Sequence, residues 1–137
     1  MSTDGDAQRE HEPAIRRLLA EYCHAYDDGR SADFGALFTD DAAFTVMGRT
    51  TEGREAIQAT IGTRAPGQEP GQHVAYNSVI ELADDGATAR AWTDFCYLTR
   101  QDGTLTISTA GRYHDELRRD PDRWRLARRT IVFLGES

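Results

Sequence analysis

From His73 onward the chain reads as four long alternating segments separated by turn signals, and few folds can accommodate that half of the molecule. The segments cover 73–83, 87–100, 105–118 and 123–134. Asp84-Asp85-Gly86 and Gln101-Asp102-Gly103 are hairpin signals, and Asp120-Pro121-Asp122 is a further turn. Period-two alternation in runs of this kind predicts strands, and short turns between them predict an antiparallel meander. Helical periodicity is confined to the first half. Ile15, Leu18, Leu19, Tyr22 and Tyr26 recur at helical spacing, with Arg16, Arg17, Glu21 and His24 on the other face. Pro13 suits the first turn of this helix and Gly29 its end. Residues 1–11 are expected to form a flexible arm. Ser31 suits the cap of a short second helix whose apolar side is Phe34, Leu37 and Phe38. Residues 42–48 read as a strand and 53–61 as a third helix. Residues 62–71, rich in Gly and Pro, read as a loop that could gate a pocket beside His73.

Three helices followed by a meander predict an α+β domain with helices on one face of a curved sheet. A chain of 137 residues is large enough for one core, so a single domain is expected over 12–137. The net charge of −7 argues against nucleic acid or an anionic membrane as partner. Every basic residue is Arg, which excludes lysine Schiff-base chemistry and a lysine phosphate loop. Cys23 and Cys96 are too far apart for zinc-ligand spacing and read as free buried thiols. No metal and no cofactor is expected. No apolar run approaches membrane-spanning length, and Met1–Asp6 is too polar and acidic for a signal peptide, so the expected location is cytoplasmic.

The chemistry-bearing residues cluster at the end of the first helix and the start of the first long strand. Tyr22, Asp27 and His73 supply a phenol, a carboxylate and an imidazole, the groups of a metal-free acid–base site. The unperturbed imidazole has a pKa near neutrality, so a histidine at position 73 can act as general base or acid. Asp27 opposes the helix macrodipole where it stands, so helix stability does not account for it. It could instead orient His73 by a hydrogen bond. Tyr22 and Tyr26 lie one turn apart, and either could reach the site or simply pack in the core. Asn77 shares a face with His73 under strict alternation and could orient a substrate. Trp92, Phe95, Tyr97 and Tyr113 are strand aromatics that serve a core or line a pocket. Arg128 and Arg129 point to opposite faces, so one of them, taken as Arg129, could enter the pocket and hold an anionic group, with a solvated strand edge or a dimer contact as the alternative. His11, His24 and His114 read as surface residues.

Several segments also resemble a known family: Ile15-Arg16-Arg17-Leu18-Leu19-Ala20-Glu21-Tyr22, Asp27-Asp28-Gly29, Leu37-Phe38-Thr39-Asp40-Asp41-Ala42, Gly53-Arg54-Glu55-Ala56-Ile57, His73-Val74-Ala75-Tyr76-Asn77, Gly111-Arg112-Tyr113 and Trp124-Arg125-Leu126. In their order and spacing they resemble the SnoaL-like branch of the nuclear-transport-factor-2-like superfamily. That resemblance implies a cystatin-like α+β barrel, a cone-shaped mixed sheet that wraps three helices and encloses a pocket. Asp27 and His73 match the aspartate and histidine of the scytalone dehydratase and bile-acid dehydratase branch. Tyr22 matches the tyrosine of the bile-acid enzyme and Tyr26 that of the scytalone enzyme. The second pocket histidine of scytalone dehydratase has no counterpart near Phe95. The resemblance implies a cofactor-independent dehydratase or isomerase acting on a hydrophobic, cyclic small molecule, in polyketide or steroid metabolism, and a homodimer. The alternative is a non-catalytic binding or accessory protein that uses the same pocket.

Overall fold

The computed structural model describes residues 3–64, 67 and 69–136. Its elements are α1 (Thr3–Asp27), α2 (Ser31–Ala36), β1 (Phe38–Val46), β2 (Arg49–Glu52), α3 (Arg54–Thr60), β3 (Gln72–Leu82), β4 (Thr88–Gln101), β5 (Thr104–Arg119) and β6 (Trp124–Phe133). Six strands form one mixed sheet in the order β2-β1-β6-β5-β4-β3. The four long strands pair antiparallel in chain order, and β1 joins β6 in parallel. With the helices packed against this sheet, the class is α+β, as the element order predicts. The expected gating loop over 62–71 includes Ala65, Pro66 and Gln68, which lie outside the described residues.

The boundaries differ from the sequence reading in instructive ways. Helix α1 begins at Thr3, inside the stretch expected to be an arm, and carries Pro13 in its interior. Tertiary contacts hold that early part: Gln8 Nε2 donates to the Ile80 carbonyl at 2.9 Å. Trp124 Nε1 donates to His11 Nδ1 at 3.2 Å, and His11 is buried rather than exposed. Phe38 opens β1 instead of closing α2, because its register with Leu126 of β6 draws it into the sheet. Met47 and Gly48, expected in a strand, both have positive φ and make the two-residue turn that starts β2. His24 and His114 are exposed.

Helix α1 ends where Gly29 predicts. Arg30 N–H donates to the Ala25 carbonyl at 2.9 Å and Gly29 N–H to the Tyr26 carbonyl at 3.1 Å, with Gly29 at φ +71°. This paired closure needs a left-handed residue at Gly29, and it holds Asp27 in the last turn.

Side chains alternate across the long strands. On β4, Ala89, Ala91, Thr93 and Phe95 are buried on the inner face, and Tyr97 continues the row. On β5 the inner row is Tyr113, Asp115 and Leu117. Three register shifts interrupt the alternation, between Tyr76 and Val79, between Tyr97 and Leu98, and between Glu116 and Leu117. Each shift inserts an extra residue, bends the sheet and swaps the face that follows. Leu18, Leu19 and Tyr22 of α1 pack against the inner face with Phe34, Phe38 and Ile57. No helix among the described residues is long and apolar enough to cross a membrane.

Candidate active site

Asp27 and His73 meet. His73 Nδ1 lies 2.7 Å from Asp27 Oδ1, and the His73 backbone N–H donates to Asp27 Oδ2 at 2.7 Å. Both carboxylate oxygens are therefore engaged by one residue, which fixes its backbone and its ring together. An ionised carboxylate only accepts, so Nδ1 carries the proton and Nε2 keeps its lone pair. Strand β3 stands at the sheet edge, and Asp27 caps its free N–H there. The two side chains are 13% and 12% exposed, enough shielding to strengthen the pair without sealing it.

Aromatic rings surround the imidazole. Tyr26 meets it edge-on at 4.8 Å between centroids, Tyr97 lies at 4.5 Å, and Tyr22 stands further off at 6.4 Å. Tyr97 is the direct cross-strand neighbour of His73. Burial pushes the Tyr97 hydroxyl above its ordinary pKa, with Tyr26 and Asp27 adding to the shift and Arg64 opposing it.

Tyr22, expected to be catalytic, sits one layer deeper. It is 3% exposed and packs on Phe34, Phe38 and Tyr113. Burial pushes its pKa up to about 12 against the opposing charge of Arg129. The Arg129 guanidinium stacks between the Tyr22 and Tyr113 rings, 4.1 and 3.7 Å from their centroids. It also makes a two-pronged ion pair with Asp115, Nε to Oδ1 and Nη2 to Oδ2, each at 2.8 Å. Burial alone would push Arg129 toward neutrality, but Asp115 overrides it and keeps the guanidinium charged. Arg128, its neighbour, faces outward to Glu116 at 3.0 Å. Phe95 stacks on Tyr113 at 4.3 Å with 5° between the rings.

Of the expected substrate contacts, Trp92 lies on the outer face, and Asn77 is turned away from the His73 face but still lines the groove between α1 and β3. The bulge at Asn77-Ser78 inverts the alternation that would have grouped Asn77 with His73. Ser78 takes the inner position, bonded to Thr93 Oγ1 at 2.9 Å. Asn77 has φ +53° and turns outward, where Nδ2 reaches Asp94 Oδ2 at 3.3 Å. Trp92 pairs with His114 on that same outer face, because it is one residue out of step with the inner Ala91 and Thr93.

Asp27 and His73 line a groove of about 420 Å³ between α1 and β3, together with Leu19, Cys23, Ala75 and the polar Arg16, His24, Asn77 and Ser78. Its volume suits a small molecule. A larger depression of about 680 Å³, lined by Asp41, Arg90 and Arg118 among others, contains none of the expected site residues. Among the described residues no group of three or more His, Cys, Asp or Glu could hold a metal ion.

A model of the SnoaL-like domain matches residues 7–130. The chain belongs to the SnoaL-like domain family. Solved structures share the fold of this SnoaL-like chain. An NTF2-like protein with a cystatin-like fold from Novosphingobium aromaticivorans superposes with a TM-score of 0.83 at 26% identity, covering 93% of this chain and 84% of its own. A scytalone dehydratase-like protein from the same organism gives 0.81 at 21%, covering 95% and 88%. The protein LinA gives 0.80 at 18%, covering 96% and 90%. No curated protein matches the chain. Sequence reading groups Tyr97 with the other strand aromatics and does not place it beside His73. Counting outward from the Asp84-Asp85-Gly86 turn brings Tyr97 opposite His73 once the bulge is allowed for.

Proposed function

We propose that this SnoaL-like protein is a cofactor-independent lyase or isomerase that acts on a hydrophobic, cyclic small molecule, with His73 as the base. The observation that carries this reading is the double engagement of His73 by Asp27, through Nδ1 and the backbone N–H, both at 2.7 Å. That arrangement leaves Nε2 as the proton acceptor and places a carboxylate where an imidazolium would need it. In the dehydratase form, Nε2 takes a proton α to a carbonyl and the C–H pair becomes the new double bond. The β C–O bond breaks, and the departing hydroxide takes the same proton to leave as water. In the isomerase form, the imidazolium returns the proton to another carbon. Leu19, Val74 and Ala75 give the groove beside His73 an apolar part that supports a hydrophobic ring system as ligand.

The test is deuterium exchange at the α carbon of β-tetralone in heavy water, followed by NMR. The wild type is expected to accelerate exchange over buffer, His73→Gln to abolish the acceleration, and Asp27→Asn to reduce it by about 10²-fold or more. Equal exchange with His73→Gln, or none with the wild type, would remove the base assignment and favour a binding role. A homodimer through the outer sheet face belongs to the same proposal. Tyr76, Val79, Leu105 and Ile107 are exposed apolar side chains on that face, which a second copy would cover. Sedimentation equilibrium that finds only monomer would discard it.

A further inference from the structure

Strand β3 ends the sheet, so one of its sides has no neighbouring strand. One bond shows which backbone groups point to that open side. His73 N–H donates to Asp27 Oδ2 and not to β4. The register with β4 runs unbroken from Gln72 to Tyr76, and along an antiparallel pair the backbone groups face the partner at every second residue. Ala75 therefore turns both its N–H and its C=O to the open side, as His73 does. Past the bulge the Ile80 carbonyl points the same way and accepts from Gln8 Nε2 at 2.9 Å.

Helix α1 packs along β3 and caps this edge at two places, with Asp27 at His73 and Gln8 at Ile80. A strand added to β3 would need those same groups, so the caps close the edge to another chain. Between the caps the edge stays open. Leu19 and Ala20 of α1 line the groove there and have no side-chain donor or acceptor. The polar side chains nearby are committed elsewhere. Cys23 Sγ lies 3.6 Å from the Leu19 carbonyl, Arg16 is held by Glu12 at 2.9 Å, and Ser78 by Thr93 at 2.9 Å. Among the described residues nothing bonds Ala75 N–H or C=O outside the sheet ladder, and the ladder lies on the other side. This open pair lies in the groove of about 420 Å³ that also holds Asp27 and His73.

We propose that the Ala75 backbone binds the amide edge of a cyclic amide, and that ligands of the groove are flat rings carrying a lactam. This rests on the reading of the groove as the substrate site and names the class of molecule it takes. Ala75 N–H donates to the ligand carbonyl, and the ligand N–H donates to the Ala75 carbonyl. That is the exchange a facing strand residue would make. A lactam holds its N–H and C=O on adjacent ring atoms, cis and on one edge, so both meet Ala75 together. An open-chain amide is trans and points the two groups in opposite directions, so it satisfies only one of them. The volume of the groove suits a small ring system, with Leu19 and Ala20 as its apolar neighbours.

Carbostyril, a flat bicyclic lactam, and N-methylcarbostyril, the same ring without the N–H, are the probes. By calorimetry the wild type is expected to prefer carbostyril by about tenfold or more, the effect of one hydrogen bond. By NMR of isotope-labelled protein, the Ala75 amide is expected to exchange freely without ligand, and to shift downfield and gain protection with carbostyril. Ala75→Pro removes the donor, and it costs no ladder bond because that N–H faces away from β4. This variant is expected to bind carbostyril about tenfold more weakly or worse. Equal wild-type affinity for the two probes, or no carbostyril binding up to about 1 mM, overturns the proposal. So does an Ala75 amide that carbostyril leaves unmoved, or full carbostyril affinity in Ala75→Pro. If Ala75→Pro does not fold, the Ala75 amide signal decides. β-Tetralone exchange separates the two readings. Exchange that His73→Gln abolishes, with no preference between the probes, keeps the base and removes the lactam site. Preference for carbostyril with no exchange keeps the lactam site and removes the base.

Discussion

Replacing Asp115 by Leu leaves the Arg129 guanidinium buried without its counter-ion, and the cost of that change follows from the geometry. Arg129 has a side-chain exposure of 1% and Asp115 of 0%. Water cannot take over the two lost bonds, and arginine cannot shed its proton as a buried lysine would. Removing one partner of such a pair costs about 3–5 kcal/mol. Arg129→Met is expected to cost a similar amount near neutral pH, with a further ~0.5–2 kcal/mol for each ring that loses its cation. The double variant Asp115→Leu/Arg129→Met buries no charge and fills the space with apolar atoms. Its stability is expected within about 2 kcal/mol of the wild type, because apolar replacement of a whole buried pair is often close to neutral. The non-additivity is then about 4 kcal/mol or more, well above the scatter for independent sites. Urea unfolding of the four proteins measures it, with unchanged m-values as the sign of a shared two-state transition. Additive costs in the double variant, or single costs below about 1 kcal/mol, would refute the claim that this buried pair acts as one unit.

The tyrosines make an alkaline test. Burial raises the hydroxyl pKa values of Tyr22, from 10.0 to about 12, and of Tyr97 and Tyr113. For Tyr22 the stability held by the neutral form is fully present below pH 10.0 and is lost as pH rises through about 12; for Tyr97 and Tyr113 the loss likewise falls above the ordinary tyrosine value. Tyrosinate absorbance is expected to stay incomplete until the protein unfolds, and five tyrosines titrating together near the ordinary value would contradict the burial. Burial likewise pushes Cys23 up to about 11, so iodoacetamide at neutral pH is expected to leave Cys23 unlabelled until urea unfolds the chain. Rapid labelling of Cys23 in the folded state would show that α1 opens. Trp124→Phe removes the donor to His11 and is expected to cost about 1–3 kcal/mol, with faster amide exchange in the first turns of α1. Unaltered exchange there would mean that the His11–Trp124 bond does not dock the helix.

Much of the molecule was legible in residue patterns because the relevant forces are local. The end of α1 at Gly29 and the hairpin at Asp102-Gly103 follow from backbone conformations that few residues adopt. The four long strands follow from alternation, and the α+β class from the order of elements. Asp27 was readable as a carboxylate out of place at a helix C-terminus, but its bond to His73 joins residues 46 apart in sequence. The tertiary structure decided which face each strand residue takes. A single extra residue at Asn77-Ser78 sent Asn77 outward, and the shift beyond Glu116 set Arg129 against Asp115 inside. Period two has no memory across a bulge, so alternation alone cannot carry a side chain's direction past one. The parallel pairing of β1 with β6, the burial of His11 and the approach of Arg64 to the end of α1 likewise depend on segments distant in sequence. Sequence pattern determined the elements and the reactive groups, and packing determined which of those groups share a site, because contacts between distant segments leave no local periodicity to read.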